Sequence, residues 1–163
     1  MPTRIRAAAL ALLLLASAAA CAGRRTYSHL DTGERLVYVP ETVPELPEQR
    51  QDARALSGTW SGTYGCWQGE TGLELRLRGA RSGEVTAVFR FFPVASNTTP
   101  AVAKGSYRMR GAYGTDGRLV LRPHAWIDAP ANYVMVSLDG RVSGGRFTGT
   151  VSECEMPFSV ERG

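Results

Sequence analysis

From residue 57 to the C-terminus, apolar and polar residues alternate with a period of two. Such alternation is typical of β-strands that bury one face and expose the other, and no stretch shows a sustained helical period. The apolar sets of the predicted strands are Trp60 and Tyr64; Leu73, Leu75 and Leu77; Val85, Ala87, Phe89 and Phe91; Tyr107, Met109 and Tyr113; Leu119 and Leu121; Val134, Val136 and Leu138; Phe147 and Val151; and Met156, Phe158 and Val160.

Turn signals rich in glycine separate these sets. They fall at residues 79–83, 114–117, 139–140 and 144–145. Eight short strands in about 105 residues leave too little chain for the long crossovers that parallel pairing requires. The sequence therefore predicts an all-β fold of about eight short antiparallel strands in an up-and-down barrel, with a β-sandwich as the alternative.

The positions of two cysteines favour the barrel. Cys66 ends the first predicted strand and Cys154 precedes the last. With an even number of up-and-down strands both lie at the same end of the sheet, and closure makes the first and last strands neighbours. A Cys66–Cys154 disulfide would then pin the seam, contributing ~4 to 5 kcal/mol in the chain-entropy model. Closure also removes exposed strand edges.

The first twenty residues have the pattern of an export signal, which predicts a cleaved signal helix. Arg4 and Arg6 precede an apolar run over residues 7–15, and small residues lead to Cys21. The run is too short to span a bilayer, which takes ~20 apolar residues. Cleavage after residue 20 as an ordinary secretory signal is one interpretation. The other is a bacterial lipoprotein signal, because the Ala-Ala-Ala-Cys ending at Cys21 resembles the lipobox, whose cysteine is acylated.

Cysteine parity favours the lipoprotein. The chain has three cysteines, and an exported protein with one thiol left over needs an explanation. Lipidation of Cys21 supplies it and leaves Cys66 and Cys154 as a pair. Residue 22, which follows the lipobox cysteine, is Ala and not Asp. By its resemblance to Gram-negative lipoproteins, this residue implies an outer-membrane anchor that faces the periplasm.

The next segment has the composition of a tether. Prolines at 40, 44 and 47 are interleaved with glutamates, which resists compact folding. Residues 27–39 could form a hairpin around Asp31-Thr32-Gly33, or an unstructured stalk, and residues 48–55 could form one helical turn. The predicted organisation is a signal peptide over 1–20, a lipidated N-terminus and tether over 21–55, and a barrel domain over 56–163.

All but one of the 19 basic residues are arginine. Loss of Arg4 and Arg6 with the signal leaves 17 basic against 15 acidic residues, which is not the excess of a nucleic-acid-binding protein. Seven arginines alternate with apolar residues and are predicted to face outward on four consecutive strands: Arg76, Arg78, Arg90, Arg108, Arg110, Arg118 and Arg122. Strands ~4.8 Å apart would join them into one basic field. That field could attract an anionic envelope component or protein; a solvated outer face is the alternative.

The remaining signals concern loops and the interior. Trp126 lies in a segment bracketed by Pro123 and Pro130, where it could contact a partner or plug a barrel end, and Trp67 invites the same two interpretations. The inward set is apolar, so the interior is either a packed core or a small cavity for an apolar ligand.

Residues for catalysis are sparse in the predicted barrel domain. It holds one histidine, His124, and no Gly-x-Ser-x-Gly elbow, and pairing of Cys66 with Cys154 leaves no free thiol. No cluster has the spacing of a metal site. The sequence predicts a protein without enzymatic activity, metal or cofactor.

Several motifs resemble known families. Gly58-Thr59-Trp60 resembles the entry strand of lipocalins and calycins. The Tyr-x-Cys-x-x-Gly run over residues 64–69, the late second cysteine and the lipobox are together similar to membrane-bound inhibitors of c-type lysozyme, small barrel lipoproteins with disulfide-linked first and last strands. Residues 111–117 are similar to their inhibitory loop. Arg110 replaces the inhibitory serine, so we expect no inhibition of lysozyme.

A further resemblance covers residues 56–162. It is to an uncharacterised β module of exported bacterial proteins, with a Trp-x-Gly-x-Tyr-x-Cys-x-x-Gly opening at Trp60, a Trp-Ile loop at Trp126 and a final Cys-Phe motif at Cys154 and Phe158. This resemblance implies no activity. We therefore expect a non-catalytic, membrane-anchored envelope lipoprotein that acts as a binding or structural module. A lipocalin-like carrier and, more remotely, a lysozyme inhibitor are the alternatives.

Overall fold

A computed structural model describes residues 43–97 and 102–163. The predicted signal peptide, Cys21 and the possible hairpin at 27–39 lie outside these ranges. The described chain begins with an extended segment and a single 3₁₀ turn at Arg54–Leu56. The strands that follow are β1 (Gly58–Cys66), β2 (Gly69–Gly79), β3 (Glu84–Phe92), β4 (Gly105–Tyr113), β5 (Arg118–Asp128), β6 (Leu138–Ser143), β7 (Arg146–Val151) and β8 (Met156–Arg162). None of the described residues forms a helix long and apolar enough to cross a membrane.

The eight strands form one closed antiparallel barrel in chain order. Each strand pairs with its sequence neighbours, and β1 closes the ring on β8 from the pair Trp60 and Arg162 to the pair Tyr64 and Phe158. The prediction of an up-and-down barrel is confirmed, and the sandwich alternative is wrong.

The predicted disulfide lies at the seam. Cys66 and Cys154 are bonded, with their Cα atoms 5.2 Å apart. Cys66 is the last residue of β1 and Cys154 lies in the turn before β8, so the bridge links the two strands that close the barrel. We call this end of the barrel the disulfide end, and the end that carries the 3₁₀ turn the opposite end.

Aromatic side chains fill much of the barrel interior. Trp60, Phe89 and Tyr107 are almost completely buried, and the rings of Phe89 and Tyr107 stack with centroids 4.6 Å apart. Tyr64 reaches across from β1 to meet Phe89 edge to face at 5.4 Å. Aromatic side chains of neighbouring strands, and of the next-but-one strands β1 and β3, therefore contact one another inside the barrel, as in a packed core.

Both barrel ends are covered by the chain. At the opposite end, the carbonyl of Leu56 in the 3₁₀ turn accepts a 3.0 Å hydrogen bond from the Trp60 indole. At the disulfide end, residues 129–137 cross the opening, and the Tyr107 hydroxyl donates to the Val136 carbonyl at 3.0 Å while accepting from its N–H at 3.1 Å. These bonds supply partners for buried polar groups that take no part in the hydrogen bonds between strands.

The sixth strand differs from its prediction. Val134 and Val136 were expected in a strand that turned at residues 139–140, but β6 begins at Leu138 and continues through Gly140. The physical reason is a close strand approach: Gly140 pairs with Gly149 of β7, and a Cβ at either position would collide with the backbone opposite. The glycine therefore permits strand packing instead of marking a turn.

The predicted loop at residues 123–130 is also wrong in part. Residues up to Asp128 continue β5, and the pairing with β4 shifts register near Pro123. A proline cannot donate to the ladder, and a bulge accommodates it. Trp126 consequently lies on a strand.

Candidate functional site

The barrel places the seven predicted arginines on the outer wall of β2 to β5. Register brings Arg78, Thr86, Arg110 and Arg122 into one row across these four strands. A second row contains Arg76, Val88 and Arg108. The arginines thus share one face, but their surroundings divide them into four groups.

Arg118 is held in an ion pair. Its Nε and Nη2 atoms donate to the two carboxylate oxygens of Asp139 on β6 at 2.9 and 2.6 Å. This hydrogen bonding raises the pKa of the Arg118 guanidinium above its ordinary value. Because the Arg118 guanidinium and the Asp139 carboxylate neutralise each other in a bidentate pair, Arg118 links β5 to β6 and is poorly available to a ligand.

Arg122 is engaged by the N-terminal segment. Its Nε donates to the Pro44 carbonyl at 2.6 Å, and its Nη2 donates to the same oxygen. Further along, Thr115 N–H donates to the Gln49 carbonyl at 3.1 Å, and Arg50 forms a β-bridge with Gly114. We call residues 43–51 the strap, because they run along the outer wall of β4 and β5 to the opposite end.

The strap explains two buried residues on the outside of the barrel. Alternation turns Ala112 and Val120 outward, yet both are fully buried. They pair with each other across β4 and β5, and Val120 lies between Arg118 and Arg122, where the strap crosses. Sequence analysis missed this contact, although two apolar residues at facing outward positions were the signal that something covers them.

Arg76 and Arg90 share one acidic partner. Arg76 Nε lies 3.0 Å and Arg90 Nη1 lies 3.1 Å from the same Glu74 oxygen. Glu74 can neutralise only one of the two charges. Because all three side chains reach water, this triad is weakly stabilising and leaves about one positive charge for other partners.

Arg78, Arg108 and Arg110 form the fourth group. Each is exposed, and none makes an ion pair with an acidic residue within residues 43–97 or 102–163. Arg78 and Arg110 flank Thr86 in one row, and Arg108 lies two residues from Arg110 on β4. We call these three residues the arginine surface. It is the part of the predicted basic field in which no charge is neutralised by a described acidic residue.

The two tryptophans outside the central core differ. Trp126 is half-buried and packs edge to face on Tyr107, with ring centroids 5.3 Å apart, so it belongs to the closure of the disulfide end. Trp67 follows Cys66 in the turn after β1 and is 68% exposed. Of the two, Trp67 is the side chain that a partner could reach.

The described residues hold no arrangement suited to binding a metal. No three His, Cys, Asp or Glu residues there lie close enough to hold a metal ion. The buried Glu153 carboxylate accepts hydrogen bonds from the Ser137 N–H at 2.6 Å and hydroxyl at 2.8 Å, and so serves the closure of the disulfide end. His124 is exposed on β5.

Two depressions lie on the outside of the barrel. One is lined by Ser143, Gly144, Gly145, Arg146, Glu161 and Arg162. The other is lined by Arg90, Phe91, Phe92, Lys104, Gly105, Ser106 and Asp128. Both are open to solvent and carry mixed charges.

Comparison of the chain with protein-family models, curated proteins and solved structures found no match. No relative therefore supplies a ligand, a partner or an activity. The arginine surface is the feature whose chemistry points most clearly to a partner.

Proposed function

We propose that this chain is a non-catalytic lipoprotein of the bacterial envelope, anchored in the outer membrane through acylated Cys21, whose barrel binds an anionic partner. One observation carries the proposal. Arg78 on β2 and Arg108 and Arg110 on β4 lie exposed on either side of β3, without an acidic partner among the described residues. Neighbouring arginines are engaged by Glu74, Asp139 and the strap. Their guanidinium groups are the binding elements.

Rigid placement suits these arginines to anion binding. Like charges that share one face of a sheet repel, and an anion that bridges them removes that repulsion. Each guanidinium can donate two parallel hydrogen bonds to a carboxylate or phosphate. Because a closed barrel fixes the strands, the partner need not order the backbone, which lowers the entropic cost of binding.

The other candidate functions have less support. A carrier needs room inside the barrel, whereas Phe89, Tyr107 and Trp60 are buried against other core side chains. A lysozyme inhibitor would need to insert a loop into an acidic cleft, whereas Arg108 and Arg110 lie in mid-strand on the outer wall. Both observations favour a surface-binding function.

Removal of the arginine surface tests the proposal. We expect the triple variant Arg78→Gln/Arg108→Gln/Arg110→Gln to elute from a heparin column at much lower salt than the wild-type chain, because exposed charges act over only ~8 Å at physiological salt and their local density decides retention. Heparin serves as a defined polyanion. The matched control Arg54→Gln/Arg81→Gln/Arg146→Gln removes three arginines elsewhere and should elute close to wild type. Equal shifts in the two variants would show that net charge alone governs binding.

Anchoring has its own test. Mass spectrometry of the membrane fraction should find the peptide that begins at Cys21 with two or three acyl chains, and Cys21→Ser should release the protein from the membrane. A free peptide starting at Cys21 or Ala22 in the soluble periplasm would contradict the anchor and leave the arginine surface untouched.

A further inference from the structure

Large apolar side chains are exposed mainly at one end of the barrel. Among the described residues five are exposed: Val43, Trp67, Phe92, Ile127 and Met156. Trp67 lies in the turn after β1, Phe92 ends β3 and Met156 begins β8, all at the disulfide end. Ile127 is the penultimate residue of β5 at the same end, whereas the opposite end has no exposed large apolar residue in the described ranges. We call Trp67, Phe92, Ile127 and Met156 the apolar rim.

The apolar rim is separate from the core. Trp126 and Tyr133 already close the disulfide end by packing against Phe91, with ring centroids 6.4 and 5.3 Å away. Phe92 points the other way and lies over Gly72 on the outer wall, where a Cβ would overlap its ring. Exposure of large apolar side chains at one barrel end, with none exposed at the opposite end among the described residues, singles out the disulfide end as a surface for interaction.

The direction of the strap shows from which end of the barrel it approaches. Pro44 contacts Arg122 in mid-wall, and Gln49 contacts Thr115 at the opposite end. Followed backward, the strap therefore runs from the opposite end toward the disulfide end. Twenty-one residues separate Cys21 from Val43 and can span at most ~75 Å. An anchor at Cys21 keeps the barrel within that distance of the bilayer.

We propose that the disulfide end rests on the phospholipid bilayer that holds the Cys21 anchor, with the apolar rim inserted at the headgroup level. The inference rests on the proposed anchoring. A tryptophan ring suits this depth because it is apolar with one polar N–H. Four separate side chains bind lipid weakly on their own, but the tether makes the contact intramolecular and raises its effective concentration.

Charge at the disulfide end identifies the kind of lipid surface. Within residues 43–97 and 102–163, the ionisable residues exposed at this end have both signs: Glu70, Arg90, Lys104, Asp128 and Glu155. These charges nearly cancel, so attraction to anionic headgroups contributes little and a zwitterionic bilayer should suffice. The arginine surface lies on the side wall and stays in water in this orientation, free for its own partner.

Depth-dependent quenching tests the proposal. The probe is the oxidised chain from residue 21 onward, whose free thiol at Cys21 is coupled to a maleimide lipid in zwitterionic vesicles, so the anchor is supplied chemically. Phosphatidylcholine brominated in its acyl chains quenches tryptophans that enter the bilayer. We expect tryptophan emission to fall by about one third, since Trp67 is one of three tryptophans and the other two pack in the barrel.

Matched variants separate the rim from the rest of the barrel. Trp67→Phe should abolish the quenching, and Phe92→Ser/Ile127→Ser should at least halve it while Trp67 is still present. In Trp67→Phe/Ser143→Trp, which carries its exposed tryptophan at the opposite end, no quenching is expected. Unquenched Trp67, equal quenching at position 143, or quenching that disappears at high salt would overturn the proposal. Absence of acylation in cells would contradict the proposed anchor and leave this result unchanged.

Discussion

Arg108 and Arg118 carry the same charge and both face outward, yet only Arg118 of the two forms an ion pair with a carboxylate among the residues that the structure describes. Alternation along one strand predicts the direction of each side chain because successive residues point to opposite faces. It cannot predict partners, because these depend on register between strands: Asp139 meets Arg118 only through the pairing of β5 with β6. The sequence therefore predicted the outward arginines, and the structure was needed to separate the available from the engaged.

Ionisation of the Tyr107 phenol is expected to make the free energy of unfolding depend on pH in the alkaline range. Burial raises the pKa of its phenol well above the ordinary value of ~10, and its hydroxyl bonds both backbone groups of Val136. The neutral form is favoured in the folded state, so its stabilising contribution is complete below pH ~10 and is lost as pH rises above that value.

The variant Tyr107→Phe should reveal this contribution. At neutral pH we expect it to lower the free energy of unfolding by about 2 kcal/mol, because two buried backbone groups lose their partner. Above pH ~10 the wild-type advantage should shrink by about 1.4 kcal/mol per pH unit. Urea unfolding of both proteins between neutral pH and pH ~11 measures the difference. A difference that stays constant with pH would contradict the assignment.

At the scale of elements, one covalent bond reinforces the strand pairing at the seam. Among the eight strands of the described ranges, only β1 and β8 are paired although distant in sequence. Beside this pairing, the disulfide joins Cys66 and Cys154, which are 88 residues apart in sequence. A crosslink over such a loop removes much conformational freedom from the unfolded chain.

Removal of the disulfide is predicted to be costly. In the chain from residue 21 onward, Cys66→Ser/Cys154→Ser should lower the free energy of unfolding by ~4 to 5 kcal/mol, with the barrel still formed at low denaturant. The control Cys21→Ser removes a cysteine outside the disulfide and should leave the urea midpoint unchanged. A midpoint in the double variant equal to that of wild type would mean that strand pairing alone holds the seam.

Elements were predictable where local pattern and long-range packing agree. Seven of the eight strands follow from alternation and turn residues, because one buried face imposes the period on the sequence. The strand β6 was misplaced because Gly140, needed for close approach to Gly149, has the same local signature as a turn. The strap was missed because its contacts with Arg122 and Gly114 are non-local and its own composition is that of a tether.

The whole molecule combines three features on one barrel. The apolar rim marks the disulfide end, the strap approaches from the same side, and the arginine surface occupies the side wall of β2 to β4. In the proposed arrangement the lipid anchor and the rim hold one end at the membrane, and the arginines face the aqueous layer beside it. The arginine surface can therefore meet an anionic partner while the barrel remains anchored.

The central claim is that a partner covers the arginine surface in the envelope, and arginine footprinting tests it most directly. Phenylglyoxal modifies exposed guanidinium groups, and mass spectrometry measures each site in intact cells and in the purified chain. We predict that Arg78, Arg108 and Arg110 react readily in the purified chain and severalfold less in cells, and that a high-salt wash restores their reactivity. Arg81, exposed in the turn after β2, is the internal reference and should react equally in both. Equal reactivity of all four arginines in cells and in the purified chain would contradict the claim.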